Sequence, residues 1–526
     1  MTLIAGLAAD LASAGFSVDA LEELWGTEAA AALARGRRLP AERALNASRD
    51  DGGNLGPLSS LAMLFVLGVP VAVDELARAI PSVGISGAHS LGLVEVDSAA
   101  HSTQRVRPLL DLRPYRFADR YGECAWWIAS DMGEMALGHA IDPSHVLGIG
   151  GASTTLSGLM LADPVADVLD LGTGCGIQAL HASRHADRVI ATDISPRAIA
   201  MARLNAELNG VTNIEFRLGN LFEPVADDQF DQIVSNPPFV ITPRAKGVPA
   251  YDYRDGGMTG DALIKAVIDG AAVHLKPGGV AQFLGNWEYR VDQNGLDRVA
   301  GWFDDLQRAR TPLDAWVIER ERQDAASYAE TWIRDGGVRP GTAEFERMYA
   351  AWLDDFDTRG VESVGFGYVT VRRVHDGRVG WRRFERVDSV GANAAGLSDH
   401  IGACMWAQDW LAGLDDDEFA ASHLTVAGDV TEDRHYWPGD EGPTIITVQQ
   451  GAGFGRSVSV DAGLAGVIGA CDGELSVAAI CGAVAQLLEV DEQALLTELV
   501  PPLRELVATG FLTPDSVEVA PARARA

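Results

Sequence analysis

A doubly wound, Rossmann-like α/β fold is predicted for the middle of this 526-residue chain, with mostly helical units on either side. Three observations predict it. Between Val165 and about Val387, apolar strand-like runs alternate with helical patterns, the signature of a parallel sheet covered on both faces. Within that stretch, VLDLGTGCGIQAL joins a buried strand to a helix through a glycine turn. The strand that follows, RVIATD, ends on a carboxylate.

Residues 1–150 read as a separate N-terminal unit. Helical spacing covers Leu3 to Ala14, Val18 to Leu33, Leu58 to Leu67 and Val73 to Ala79. Leu91 to Val96 and Val106 to Leu112, separated by the AAHSTQ turn, read as two short strands, so the unit resembles a winged helix. The most apolar run, Leu61 to Val73, contains Gly68 and Pro70 and is shorter than the ~20 residues that a membrane span needs, so it reads as a buried helix.

Residues 151–390 form the α/β domain. VADVLDLG is a buried strand, IQALHASRHA a helix and RVIATDI a strand. PRAIAMARLNAELNG is a helix opened by Pro196 and stopped by Gly210. NIEFRLGN, FDQIVSNPP and GGVAQFLGN continue the series, and an amphipathic insertion occupies residues 323–357. VGFGYVTVRRV and WRRFERV then read as an antiparallel pair joined by HDGR, which gives the sheet an antiparallel end strand. Residues 391–526 form a third unit, with helices at Leu464–Cys471, Val477–Leu488 and Leu495–Thr509 and the short strand FLTP, again winged-helix-like. Its tail, APARARA, is expected to fray.

Composition narrows the function. Forty-two Lys plus Arg against 74 Asp plus Glu give a net charge of -32, which disfavours nucleic acid and favours basic or neutral partners. Five scattered cysteines with no CxxC pair suggest neither a disulfide framework nor a zinc site, and point to a reducing, cytoplasmic setting. The N-terminus lacks the pattern of a signal peptide, so neither export nor a membrane partner is expected. His181 and His185, four apart on a helix, have no third ligand nearby and read as a solvated face, so no metal is expected. Trp126 and Trp127 read as packing residues, and the arginines around Arg372 and Arg383 as partners of the many carboxylates.

The chemistry concentrates at the strand ends. Gly172, Gly174 and Gly176 form a GxGxG turn whose bare backbone lets amides approach a ligand at a helix N-terminus. Asp193, 17 residues beyond the last of them, stands where a carboxylate accepts from both hydroxyls of a ribose. Asp170, just before the turn, would repel a pyrophosphate but suits an ammonium group. S-adenosylmethionine has a ribose, an ammonium group and no phosphate.

From Val165 to Val387 the residues resemble the class I methyltransferases that use S-adenosylmethionine. The resemblance implies that Asp170, Gly172 and Gly174 hold the methionine moiety and Asp193 the ribose. Asn220 takes the place of the usual acidic residue that meets the adenine amine. Thr173, Gly176, Ile194, Leu221 and Asn236 complete the implied cofactor-binding set.

Asn236, Pro237, Pro238 and Phe239, at the end of the next strand, are the implied catalytic residues. A planar NH2 group is a poor nucleophile because its lone pair is delocalised. The Asn236 oxygen and the Pro237 carbonyl can each accept one N–H and orient the nitrogen toward the methyl donor, while Phe239 stacks on the flat group. The tetrapeptide resembles that of amino-group methyltransferases acting on adenine N6, guanine N2 or glutamine N5. With YRDGG at Tyr253–Gly257, it is most similar to the HemK-like glutamine and lysine methyltransferases. Those modify release factors or other proteins, so the expected partner is a protein substrate. The alternatives are methylation of an RNA or DNA base, methylation of a small metabolite, and a scaffold that merely senses the cofactor. Asn286 and Trp287 end the QFLGNW strand on the same edge, where pocket lining and sheet packing are equally open readings. The oligomeric state is not legible.

Overall fold

The computed structural model describes residues 2–97, 104–133, 144–245, 248, 254–375, 380–394 and 396–515. The AAHSTQ and HDGR turns lie almost wholly outside these residues, and Tyr253 and the APARARA tail entirely so. The chain divides into two compact units. One comprises Met1–Ala118, Gly122–Ser157 and Pro164–Glu385; the other comprises Asp119–Tyr121, Gly158–Asp163 and Arg386–Ala526.

The first unit opens with helices Leu3–Ser13 and Val18–Ala34, whose free amides are capped by the Thr2 and Ser17 hydroxyls. Helix Pro57–Leu61 runs into a π-helical turn at Ala62–Val66, and the five residues of that turn are all buried, as the apolar run requires. Strands β1 (Val71–Ala72), β2 (Val94–Asp97) and β3 (Arg105–Pro108) form a sheet in the order β1-β3-β2, antiparallel throughout. The strand expected from Val106 to Leu112 is interrupted. Pro108 has no N–H to continue the ladder, and the chain leaves for a second sheet, in which β4 (Leu110–Asp119) pairs with β5 (Gly122–Asp131). The helix Gly84–Ser90 escaped the sequence reading because GISGAHS is made of poor helix formers with little apolar period.

The large sheet runs β13-β11-β12-β10-β9-β6-β7-β8. Its strands are β6 (Val165–Leu171), β7 (Ala186–Asp193), β8 (Ile214–Leu218), β9 (Phe230–Ser235), β10 (Leu275–Arg290), β11 (Leu313–Asp324), β12 (Val361–Arg373) and β13 (Arg382–Arg386). From β8 to β10 the pairing is parallel, and β12 lies antiparallel to both β10 and β11. The hairpin expected between VGFGYVTVRRV and WRRFERV does not form. The run Leu313–Ile318 is buried throughout, so β11 occupies the interior between β12 and β13, and the two arginine-rich strands are not neighbours. Arg372, Arg382, Arg383 and Arg386 pair with Asp314, Asp304, Glu385 and Asp388. The insertion folds as two helices, Ala325–Asp335 and Ala343–Arg359, between β11 and β12.

Strand order reverses at β6, with β7 and β8 on one side and β9 on the other. The chain therefore leaves the paired carboxyl ends of β6 and β9 at a topological switch point, the usual ligand position in open α/β sheets. Ser235 Oγ donates to the Leu171 carbonyl (2.7 Å) and ties the two ends together.

The second unit contains helix Ser398–Ala412 and a sheet of β15 (Val430–His435), β16 (Ile445–Gln450) and β17 (Ser457–Val460) in that order. A further sheet runs β18-β14-β19, made of Asp472–Ser476, His423–Val426 and Leu512–Pro514. Helices Ala462–Gly469, Val477–Leu488 and Glu492–Ala508 bury the apolar faces that their spacing predicts. Among the described residues, no single helix is long and apolar enough to cross a membrane.

Candidate active site

Asp170 is fully buried at the end of β6. Its Oδ2 accepts from Thr173 Oγ1 (2.6 Å) and from the Ala179 N–H (2.9 Å), which fixes the glycine turn against the start of helix Ile177–Ala182. Oδ1 has no partner. Burial, reinforced by the charge of Asp193, raises the carboxyl to a pKa of about 7 despite those two hydrogen bonds.

The turn residues Gly172, Gly174 and Gly176 all have positive φ, at 74°, 54° and 87°. Gly176 is needed for packing as well. A Cβ there would lie 2.9 Å from the Ala202 Cβ and 3.0 Å from its Cα. At Gly172 and Gly174 a Cβ would meet nothing within 4 Å, because both face open space. Asp193 closes the turn from the next strand, its Oδ2 accepting from the Gly174 N–H (3.0 Å) and its Oδ1 from the Ser195 N–H (2.8 Å).

Asn236 follows β9, and its Oδ1 is buried without a hydrogen-bond partner. The tetrapeptide is held extended by the RDGG stretch. Val240 N–H donates to the Arg254 carbonyl (2.9 Å), Gly256 N–H to the Pro238 carbonyl (3.2 Å), and Phe239 forms a bridge with Asp255. Arg254 is itself buried and donates from Nη1 to the Trp332 carbonyl (2.8 Å), which anchors this strap to the inserted helix Ala325–Asp335.

A cavity of about 370 Å³ brings most of the expected residues together. Gly172, Thr173 and Gly174, then Asp193, Ile194, Asn220 and Leu221, and finally Asn236, Pro237 and Pro238 all line it. Ile194 is 62% exposed although it is large and apolar, an arrangement that suits a ligand's flat face better than water. Three expected residues lie elsewhere. Asp170 sits beneath the turn, Gly176 packs on helix Pro196–Leu208, and Phe239 faces a neighbouring cavity.

Sequence reasoning missed one wall of the cavity, formed by Ser144–Gly148 and Ala152–Ser153. The stretch has no periodicity to reveal it, and it is fixed by Asp131, whose Oδ2 accepts from the Val146 N–H (2.8 Å) and from Arg197 Nε (2.9 Å). Gln178 reaches the same wall, donating from Nε2 to the Ser153 carbonyl (2.8 Å). The expectation of a solvated face at His181 and His185 is corrected. Both are buried, His185 against Gln232 Oε1 (2.7 Å) and His181 against the Tyr115 hydroxyl (3.2 Å), because this helix is packed on both sides. Cys175 fills a small gap, its thiol pushed up to about 11 by burial. Trp287 packs in the sheet, where its Nε1 donates to Glu319 Oε2 (2.8 Å), whereas Asn286 lines the neighbouring cavity.

Sheet order, glycine turn and crevice together are those of a class I methyltransferase domain, and in this region the chain is similar to HemK-like methyltransferases. Residues 149–309 match the family described as methyltransferase small domain, while residues 13–107 and 404–514 match two families described only as domains of unknown function. The chain is 36% identical over 171 residues to the release factor glutamine methyltransferase of Geobacter sulfurreducens, covering 27% of this chain and 60% of that protein. With the enzyme of that name from Cereibacter sphaeroides the identity is 42% over 130 residues, covering 23% and 46%. The chain thus spans about half the length of these relatives. Among solved structures, the YcgJ protein of Bacillus subtilis overlaps 41% of this chain and 94% of its own, at 17% identity and a TM-score of 0.27.

Proposed function

We propose that the central domain transfers a methyl group from S-adenosylmethionine to the planar side-chain nitrogen of a protein, a glutamine-type amide. The single observation that carries this reading is the unpartnered Oδ1 of Asn236, a buried acceptor on a residue that lines the same cavity as the glycine turn. An unpaired buried carbonyl costs about 1–3 kcal/mol, and an arriving N–H would satisfy it.

The cavity suits the cofactor. Its volume lies within the range of roughly 300–1,000 Å³ usual for small-molecule sites, and the space in front of Gly172 and Gly174 would accept a ligand's backbone-like end. Asp193 would meet the ribose hydroxyls, Asn220 and Leu221 the adenine, and the charge of Asp170 beneath the turn would favour the ammonium group. When bound, S-adenosylmethionine supplies an electrophilic methyl group. This chain's own residues would do the rest: Asn236 Oδ1 and the Pro237 carbonyl orient the acceptor NH2 by accepting a hydrogen bond from each N–H, and Phe239, which faces the neighbouring cavity, would pack against the flat group from that side. No strong base is required, because the nitrogen becomes acidic as it gains the methyl.

We read residues 1–150, 151–390 and 391–526 as a winged-helix-like unit, the catalytic domain and a second winged-helix-like unit. The strand orders β1-β3-β2 and β18-β14-β19, each beside three helices, support this. A cytoplasmic setting belongs to the same reading, which the five scattered cysteines without a CxxC pair support. The test is incubation of a proteome and of total RNA with radiolabelled cofactor. Label in the protein fraction is expected, and it should vanish with Asn236→Ala while cofactor affinity stays within about threefold. Label confined to RNA would overturn the protein assignment.

A further inference from the structure

A chain of net charge -32 gathers Arg35, Arg37, Arg38, Arg43 and Arg105 at one corner of its first unit. Helix Val18–Ala34 ends in a turn fixed by two backbone bonds, from the Gly36 N–H to the Leu33 carbonyl (2.8 Å) and from the Arg37 N–H to the Ala32 carbonyl (2.9 Å), with Gly36 at a φ of 70°. Arg35 and Arg37 are exposed on that turn. Arg38 opens helix Leu39–Ala47, on which Arg43 is also exposed, and Glu42 is the one carboxylate between Arg35 and Arg43. A second turn draws in the rest. Past the buried π-helical residues, the chain presents carbonyls that arginines satisfy: Arg38 Nη1 donates to Leu67 (3.3 Å), Arg113 Nη2 to Val66 (3.1 Å), and Arg105 Nη2 to Pro70. Leu67 and Pro70 are three residues apart, so at most ~11 Å separates their Cα atoms and Arg38 and Arg105 meet there from different elements. Arg113 is neutralised by Asp111 (2.7 Å), and Asp97 stands opposite Arg105 in the β2–β3 ladder. Arg35, Arg37 and Arg43 have no ion pair among the described residues.

We propose that this corner docks the phosphate backbone of duplex RNA without reading its sequence. The inference does not depend on the methyl-transfer reading. Arg38 and Arg105 each spend one nitrogen on a carbonyl, which orients the guanidinium and leaves its other donors for phosphate oxygens. The acidity of the whole chain does not forbid this, because salt screens exposed charges beyond about 8–10 Å and the nearest arginines dominate. A docked protein wants an apolar centre, and a single strand wants aromatic rings on which bases stack. Between Arg35 and Arg43 the one large apolar side chain exposed is Leu39, and there is no aromatic residue. The same shortage opposes a membrane surface. Sequence reading of DNA commonly places a helix in the major groove, yet helix Gly84–Ser90, which precedes β2, carries no Lys or Arg. A-form RNA closes that groove to side chains and leaves phosphates and shape as the contact.

The test follows the fluorescence anisotropy of a labelled RNA duplex titrated with the full chain, with a DNA duplex of the same sequence, polyglutamate and anionic lipid vesicles as rivals. About five phosphate contacts give a slope near -4 in log affinity against log salt, so binding should fall at least ~100-fold between about 50 and 200 mM salt. Arg35→Gln, Arg37→Gln and Arg43→Gln together should weaken it at least tenfold at the lower salt and flatten the slope by about 2–3. Arg43→Glu alone should cost at least fivefold. Arg310→Gln with Arg339→Gln, at two exposed arginines that also lack an ion pair, should change affinity less than twofold. None of these side chains holds the fold through a hydrogen bond, so thermal melts of the variants should match wild type. No RNA binding at the lower salt, a triple variant that binds like wild type, an equal loss in the Arg310 and Arg339 variant, or tighter binding of DNA, polyglutamate or vesicles overturns the proposal.

Discussion

Asn205 treats Ala129 as a strand neighbour: its Oδ1 accepts from the Ala129 N–H (2.7 Å) and its Nδ2 donates back to the Ala129 carbonyl (2.9 Å). The same Nδ2 donates to the Cys175 carbonyl in the glycine turn (2.8 Å). One turn later Asn209 repeats the device on both backbone groups of Trp127 (2.9 and 2.8 Å). Helix Pro196–Leu208 therefore completes the edge of β5, and the N-terminal segment and the cofactor turn share one hydrophobic core that includes Leu7, Phe65, Trp126, Ile177 and Met201.

Replacing Asn205 strands three buried backbone groups at once. Asn205→Ala should cost about 2–4 kcal/mol of stability, since each unsatisfied buried group costs about 1–3 and local relaxation recovers part. Chemical denaturation would measure it, and a loss under ~1 kcal/mol would mean that water replaces the side chain. For the same reason, residues 149–390 expressed alone should aggregate, because the apolar faces of Ile177, Leu180 and Met201 lose their cover.

Asp193 has two duties, holding the Gly174 and Ser195 amides and facing the cavity. Asp193→Ala should weaken S-adenosylhomocysteine binding at least tenfold in calorimetry. Asp193→Asn keeps an acceptor oxygen and should recover part of the affinity. Unchanged affinity in the alanine variant would remove Asp193 from the ribose contact.

Gly176 admits no side chain. Its φ of 87° and the 2.9 Å approach to Ala202 both oppose a methyl group. Gly176→Ala should destabilise by about 2–4 kcal/mol, from backbone strain of ~1–3 plus overpacking of ~1–3 that partly relaxes. Gly174→Ala carries the strain without the clash, so its larger effect should be on cofactor affinity. A thermal melt and a binding isotherm on each variant separate the two.

What could be read from the sequence follows the range of the interactions. Glycines of a tight turn, a carboxylate closing a strand and an Asn-Pro-Pro-Phe tetrapeptide are local patterns, and six residues of those patterns, Gly172, Gly174, Asp193, Asn236, Pro237 and Pro238, line one cavity with Thr173, Ile194, Asn220 and Leu221, which the resemblance implied. Asn205 and Asn209 escaped because, in PRAIAMARLNAELNG, a polar residue reads as solvent-facing. Only the distant β5 makes them interior. His181 and His185 failed in the same way, satisfied by Tyr115 and Gln232 from other elements. The mistaken hairpin has a similar origin. Proximity in sequence suggested that β12 pairs with β13, but β11, with its continuous buried run, outcompetes that edge.

Asp170 gives the site its pH dependence. Its carboxyl is raised to about 7, chiefly by burial, from an ordinary value of 3.8, so the folded protein holds a proton that the unfolded chain has already released. Stability from this group is therefore full below about pH 4 and is lost as pH rises through 7. A cationic ligand reverses the preference, because an ammonium group favours the carboxylate. Affinity for S-adenosylhomocysteine should thus rise between pH 5.5 and 7.5, with a proton released on binding near the lower end. Asp170→Asn should flatten both trends, gaining stability at pH 8 relative to wild type while binding more weakly. Calorimetry in buffers of different ionisation enthalpy counts the proton directly. A wild-type affinity that does not change across that range would mean that the charge of Asp170 is not felt by the ligand, leaving it only the task of holding Thr173 and the Ala179 amide.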